Sequence, residues 1–162
     1  MTVRAKLRAA LSERLVPALL SAGFRGPSTL KGNVLIHEYR RSTRTGTHVL
    51  SIQFEKHQLP RFVVNCHVEP PRGINDLMAR GGTIMSGRLK AKPGPTTRSW
   101  FRADRSWWQR EILRRRDTLE NDAVDLCLSL LPEVEAWWVT QNASSHISSW
   151  PVKYVAQNAA GT

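Results

Sequence analysis

The chain lacks most of the features that announce a function. Of its 162 residues only two are cysteine, Cys66 and Cys127, which leaves no disulfide framework and no four-cysteine zinc site. No apolar run approaches the roughly 18 residues that span a bilayer, so no transmembrane segment is expected. Met1 to Ala10 is charged and has no apolar stretch of the secretory type, so a cytoplasmic protein is expected. There is no Gly-x-Ser-x-Gly elbow, P-loop, dinucleotide fingerprint or His-Glu-x-x-His. No catalytic residue and no cofactor is therefore assigned, and binding is expected in preference to catalysis. No internal repeat occurs. Acidic residues are the other scarcity: thirteen stand against twenty-four basic ones, for a net charge of +11.

The excess is unevenly placed. Residues 1–48 carry +7, residues 49–69 are neutral, residues 70–116 carry +9 and residues 117–162 carry −5. Such asymmetry suggests a polyanionic or acidic partner for the basic part. A lineage preference for arginine would give the same composition without any partner. With 41% hydrophobic residues, the chain can still build an ordinary globular core.

Val3, Leu7, Leu11, Leu15 and Leu19 recur at nearly four-residue spacing, which predicts a helix from about Val3 to Ala22. Pro17 should kink or restart it, and Gly23 should cap it, with Phe24 packing back. Three strands are expected next, at Val34–Arg41, His48–Lys56 and Arg61–Glu69. The last two alternate, with Leu50, Ile52, Phe54, Phe62, Val64, Cys66 and Val68 on an apolar face. A four-residue turn between them would not align these faces, so a bulge or another loop length is required. Pro70 to Thr97 reads as irregular, with an exposed loop over Gly87–Arg98. A short strand is expected at Ser99–Arg102. Helical sequence follows from about Ser106 to Gln141, broken at Pro132. The expected architecture is α+β: an N-terminal helix, an antiparallel meander of three to five strands, and C-terminal helices packed on the sheet. It is divided into one domain, 1–142, and a tail, 143–162.

Leu19-Leu20-Ser21-Ala22-Gly23-Phe24-Arg25, Ser51-Ile52-Gln53-Phe54-Glu55-Lys56 and Phe62-Val63-Val64-Asn65-Cys66-His67-Val68 resemble motifs of a bacterial family, domain of unknown function 4304. The aromatic segment Trp100-Phe101 and Trp107-Trp108 is similar as well. The resemblance spans about residues 7–130 and implies the α+β fold. That family has no agreed activity, so no site residue is carried over from it.

Candidate sites come from the residues themselves. Arg88, Lys90, Lys92, Arg98, Arg102 and Arg105 interleave with Trp100, Phe101, Trp107 and Trp108, and Arg110, Arg114, Arg115 and Arg116 continue the run. Cations can follow phosphates and exposed rings can stack on bases, which suits nucleic acid. The same residues could instead be core tryptophans with a solvated arginine rim, or internal cation–π pairs. Gln53, Asn65 and His67 fall on the polar face of adjacent strands, where they can read a ligand or bond loop backbone. His37, His48 and His67 could face a metal with Glu55 or Glu69, or simply face solvent, so no metal is assigned. Both cysteines fall on apolar stripes and read as buried thiols. The expected function is non-catalytic binding of nucleic acid or another polyanion. The alternative is a protein-interaction module, of the immunity or accessory type, with an acidic protein partner.

Overall fold

The structure, a computed structural model, describes residues 1–30, 32, 34–104 and 119–156. Its first element is a continuous helical rod: α1 (Val3–Ala10), a π-helical turn (Leu11–Leu15) and α2 (Val16–Ser21). Thr2 caps it, its hydroxyl accepting from the Ala5 amide. A prolyl ring clashes with the carbonyl four residues back, and the wider π turn just before Pro17 relieves that crowding. The rod ends as Gly23 and Phe24 demand. Gly23 sits at φ 87°, its amide donates to Leu20 and that of Phe24 to Leu19, the two bonds of a Schellman cap. The repeated leucines Leu7, Leu11, Leu15 and Leu19 are all buried.

Six strands form one antiparallel sheet: β1 (Ile36–Thr43), β2 (Gly46–Phe54), β3 (Arg61–Glu69), β4 (Gly82–Leu89), β5 (Phe101–Arg102) and β6 (Ile147–Tyr154). The order is β1-β2-β3-β4-β6, with β5 paired to the far end of β3. A short helix, α3 (Gly73–Arg80), packs against β4. The last helix, α4 (Leu119–Thr140), lies with the N-terminal rod on one face of the sheet. This is the expected α+β arrangement.

The register of β2 on β3 sets everything else. Phe54 pairs with Phe62, Ile52 with Val64 and Leu50 with Cys66. The Glu55 amide still bonds the Arg61 carbonyl, so five residues, Lys56–Pro60, make the loop, with Gln58 at φ 67°. An odd loop brings like faces opposite one another, which a four-residue turn could not.

Three expectations need correction. Residues 82–89 are a strand, where irregular chain leading into an exposed loop at Gly87 is expected, because β3 and β6 both pair with them. The supposed tail supplies β6, so the boundary at 142 separates nothing from the sheet. Pro132 does not break the last helix, which runs through it. The expected helical start at Ser106 lies outside the described residues.

The core joins the rod, α4 and the inward side of the sheet. Trp137 lies over Gly87, where an added Cβ would come within 2.9 Å of both its ring and Cys66 Sγ. Trp137 Nε1 donates to Ser149 Oγ at 3.0 Å. Phe62 stacks on Phe101 with centroids 5.0 Å apart. Both cysteines are buried, and burial pushes the Cys66 thiol up to about 12 and raises that of Cys127 as well.

Two histidines sit on this inward face. His48 stacks on Trp138 at 4.6 Å, and its Nδ1 lies 3.2 Å from the Arg41 guanidinium, which Glu135 binds from α4. His37 meets Phe54 edge-on, with Arg8 3.4 Å from its Nε2. Burial first, and then the neighbouring arginine, hold both imidazoles below their ordinary value of 6.5. In the window below 6.5 the unfolded chain therefore binds more protons than the folded one, and stability rises with pH there. Urea midpoints should be highest above pH 6.5 and fall as the pH drops through the folded values. His48→Asn should flatten that fall; an unchanged profile would refute the assignment. Phe54→Ala should cost about 3–5 kcal/mol, as core Phe truncations do, and a loss below about 1 kcal/mol in chemical denaturation would overturn the face assignment.

Candidate functional site

Strand alternation sends every second residue away from the helices. On this outward face one cross-strand row reads Glu38, Ser51, Asn65, Arg88, Ser148. The next reads Arg40, Val49, His67, Ser86, Trp150. Gln53 lies diagonally beside Asn65, and Val152 and Tyr154 extend the face along β6. Among the described residues α3 packs at its β4 end, where Leu77 lies beside Gly82.

Gln53, Asn65, His67 and Arg88 thus come together. Arg88 Nε donates to Asn65 Oδ1 at 2.7 Å, and Asn65 Nδ2 donates to Gln53 Oε1 at 3.1 Å. The Arg88 guanidinium carbon lies 6.0 Å from the centroid of the Trp150 ring. Partial burial lowers the Arg88 pKa, yet a guanidinium remains charged at neutral pH. Beside this chain Arg40 grips Glu69 with two bonds, 2.8 and 3.1 Å, and reaches Glu38 at 3.2 Å. Glu69 is only 7% exposed, so its charge needs that clamp. His67 Nε2 stands 3.5 Å from Glu69 Oε1. The face therefore combines two half-buried aromatic rings, an arginine held at its Nε, and a rigid amide pair.

The other described residues of the basic-aromatic run do not join it. Lys90 is 7% exposed and spends its ammonium on the Gly94 carbonyl at 3.0 Å. Arg102 binds Asp104 through two bonds, 2.9 and 2.8 Å, and holds that carboxyl below its ordinary range. Trp100 is half-buried under Arg61, whose guanidinium carbon is 5.4 Å from the ring centroid. Arg61, Lys92, Trp100 and Arg102 share a groove of about 800 Å³ with Asp104 and Asp122, so its charges largely offset one another. Among the described side chains, Lys92 is a loop cation that is exposed and without a described hydrogen-bond partner. The Arg98 side chain, Arg105 and Arg114 lie outside the described residues. So do Trp107, Trp108, Arg110, Arg115 and Arg116.

The expectation of a tail at 143–162 hides Trp150 and Tyr154. The signal was present: Ser148, Trp150, Val152 and Tyr154 alternate over one strand length. Arg40 carries no motif that marks it in the sequence.

Among the described residues no three His, Cys, Asp or Glu side chains are placed to hold a metal ion. No described helix is long and apolar enough to cross a membrane. Comparison with protein-family models, curated proteins and solved structures finds no match to this chain. The resemblance to domain of unknown function 4304 thus rests on its short motifs alone, and the chemistry of the open sheet face carries the functional argument.

Proposed function

We propose that this protein is a non-catalytic binding domain for single-stranded nucleic acid, and that the open sheet face is its platform. The observation that carries this reading is the grouping of Trp150 and Arg88 with the Asn65–Gln53 amides on the sheet face turned away from the rod and α4. Unpaired bases stack on aromatic rings and offer their edges to amides and guanidinium groups, while a duplex keeps those faces hidden. A net charge of +11 adds long-range attraction for phosphate. Exposed Lys92, on the loop after β4, is free to follow an irregular backbone in a way that Arg40 and Arg102, locked to carboxylates, are not.

A protein-interaction module is the second reading, and the apolar β1 edge of the same face favours it. Val34 and Ile36 are 53% and 50% exposed at the start of edge strand β1, beside the exposed Leu35. Small apolar patches at a sheet edge suit a protein partner. Salt separates the two readings, since apolar contact is nearly insensitive to it.

Fluorescence anisotropy with labelled random single strands and duplexes, from low to physiological salt, tests the proposal. Single strands should bind more tightly, with log affinity falling linearly in log salt at a slope of about −0.7 per phosphate neutralised. Trp150→Ala should weaken single-strand binding by about 1–3 kcal/mol. Its urea midpoint and that of Trp150→Phe distinguish lost stacking from lost folding. No affinity at low salt would end the nucleic-acid reading, and full affinity in a folded Trp150→Ala protein would remove the platform.

A further inference from the structure

The hydrogen bonds on the open face run one way. Arg88 has no acceptor, so its Nε can only donate, and this forces Asn65 Oδ1 toward it. Asn65 must then turn Nδ2 toward Gln53, which in turn must present Oε1. Each amide oxygen thereby spends one of its two lone pairs inside the chain. What remains wholly unused for a ligand is a set of donors: the two terminal nitrogens of Arg88, one hydrogen of Asn65 Nδ2, and Gln53 Nε2. None of these has another hydrogen-bond partner among the described residues.

We infer that this corner of the sheet reads guanine within a single strand; the inference rests on the platform proposed above. Guanine offers two neighbouring acceptors, O6 and N7, at the spacing of an arginine fork. Its ring can lie on Trp150, whose centroid is 6.0 Å from the guanidinium carbon, which puts the purine edge within reach of the fork. Adenine keeps N7 but places an amino donor where guanine has O6, so it would set a donor against the second nitrogen of the Arg88 fork. A bare phosphate could satisfy Arg88 but would leave the adjacent ring unused. The fork needs no ordering step on binding, because its Nε is already fixed to Asn65.

The test uses the whole chain and short oligo(dA) strands, each carrying one central guanine, hypoxanthine, 7-deazaguanine or adenine, read by anisotropy. Guanine and hypoxanthine both present O6 and N7 and should bind alike. Adenine should bind more weakly by roughly 5- to 150-fold, the range of one bidentate arginine–guanine contact, and 7-deazaguanine should lose part of the gain. Arg88→Lys keeps the charge but not the fork, and should bring guanine down to adenine. Equal affinity of the wild-type protein for all four strands would overturn the guanine assignment and leave the platform standing. Absence of binding to every strand at low salt would remove the platform itself, and the assignment with it. The wild-type comparison needs no variant, so a misfolded Arg88→Lys protein would not blunt it.

Discussion

An odd number of residues between β2 and β3 is the constraint on which the molecule depends. Five loop residues put Phe54 opposite Phe62, and the ladder then carries Leu50, Ile52, Val64 and Cys66 onto the same side. A slip by one residue would exchange that side with Ser51, Gln53, Asn65 and His67. The core and the candidate site are therefore two outcomes of a single register. Glu55 anchors the loop from within: its carboxylate accepts from the His57 amide at 2.6 Å, and its carbonyl accepts from Arg4 at 2.9 Å. The N-terminal rod is thus tied to the turn that fixes the register.

The second half of the chain is fitted to the first through Gly87. Only a glycine lets the Trp137 ring sit against β4 and Cys66 at once. That approach seats α4 on the inward face, and the bond from Trp137 Nε1 to Ser149 Oγ joins the same helix to β6. The acidic charge of α4 is partly used in docking. Arg14 pairs with Asp125, and Arg41 with Glu135, so some of the basic N-terminal region is neutralised by the helix packed beside it. What the α4 carboxylates do not reach is the outward face, where Arg40 answers Glu69 and Arg88 keeps its charge for a ligand.

Legibility in the sequence followed the strength of local periodicity. The bounds of β3 came out as Arg61–Glu69, and the capping of the rod by Gly23 was readable, because alternation and cap chemistry are local. β4 was not readable. It opens on glycines and carries Gly87 at its centre, a residue whose reason lies in Trp137, fifty residues on. β6 holds two serines and Pro151, which weaken a strand pattern, yet they suit an edge strand that needs pairing on one side only. Pro132 read as a break, while the packing of Val134, Trp137 and Trp138 holds the helix through it. In the site, Gln53, Asn65, His67 and Arg88 were each visible as residues. Their meeting was not, because it depends on the pairing of β4 with β3. The basic-aromatic run suffered the opposite error. Continuous in sequence, its described members are dispersed in space, with Lys90 and Arg102 satisfied by neighbours within four residues.

Counting cations is thus a poor guide to where this protein meets a ligand. An arginine clamped to a carboxylate on both terminal nitrogens, as Arg40 is to Glu69, stabilises the fold and has little left to offer. A lysine on an exposed loop offers charge without direction. Arg88 differs from both. It is anchored by the one nitrogen that does not belong to its fork, and the anchor is an amide whose own orientation is fixed by the next amide. Its position is set by three strands, and its partial burial limits the water that would compete for its donors. Direction is what separates reading a base from attracting a phosphate. On this face direction comes from the β2–β3–β4 register, the same constraint that builds the core beneath it.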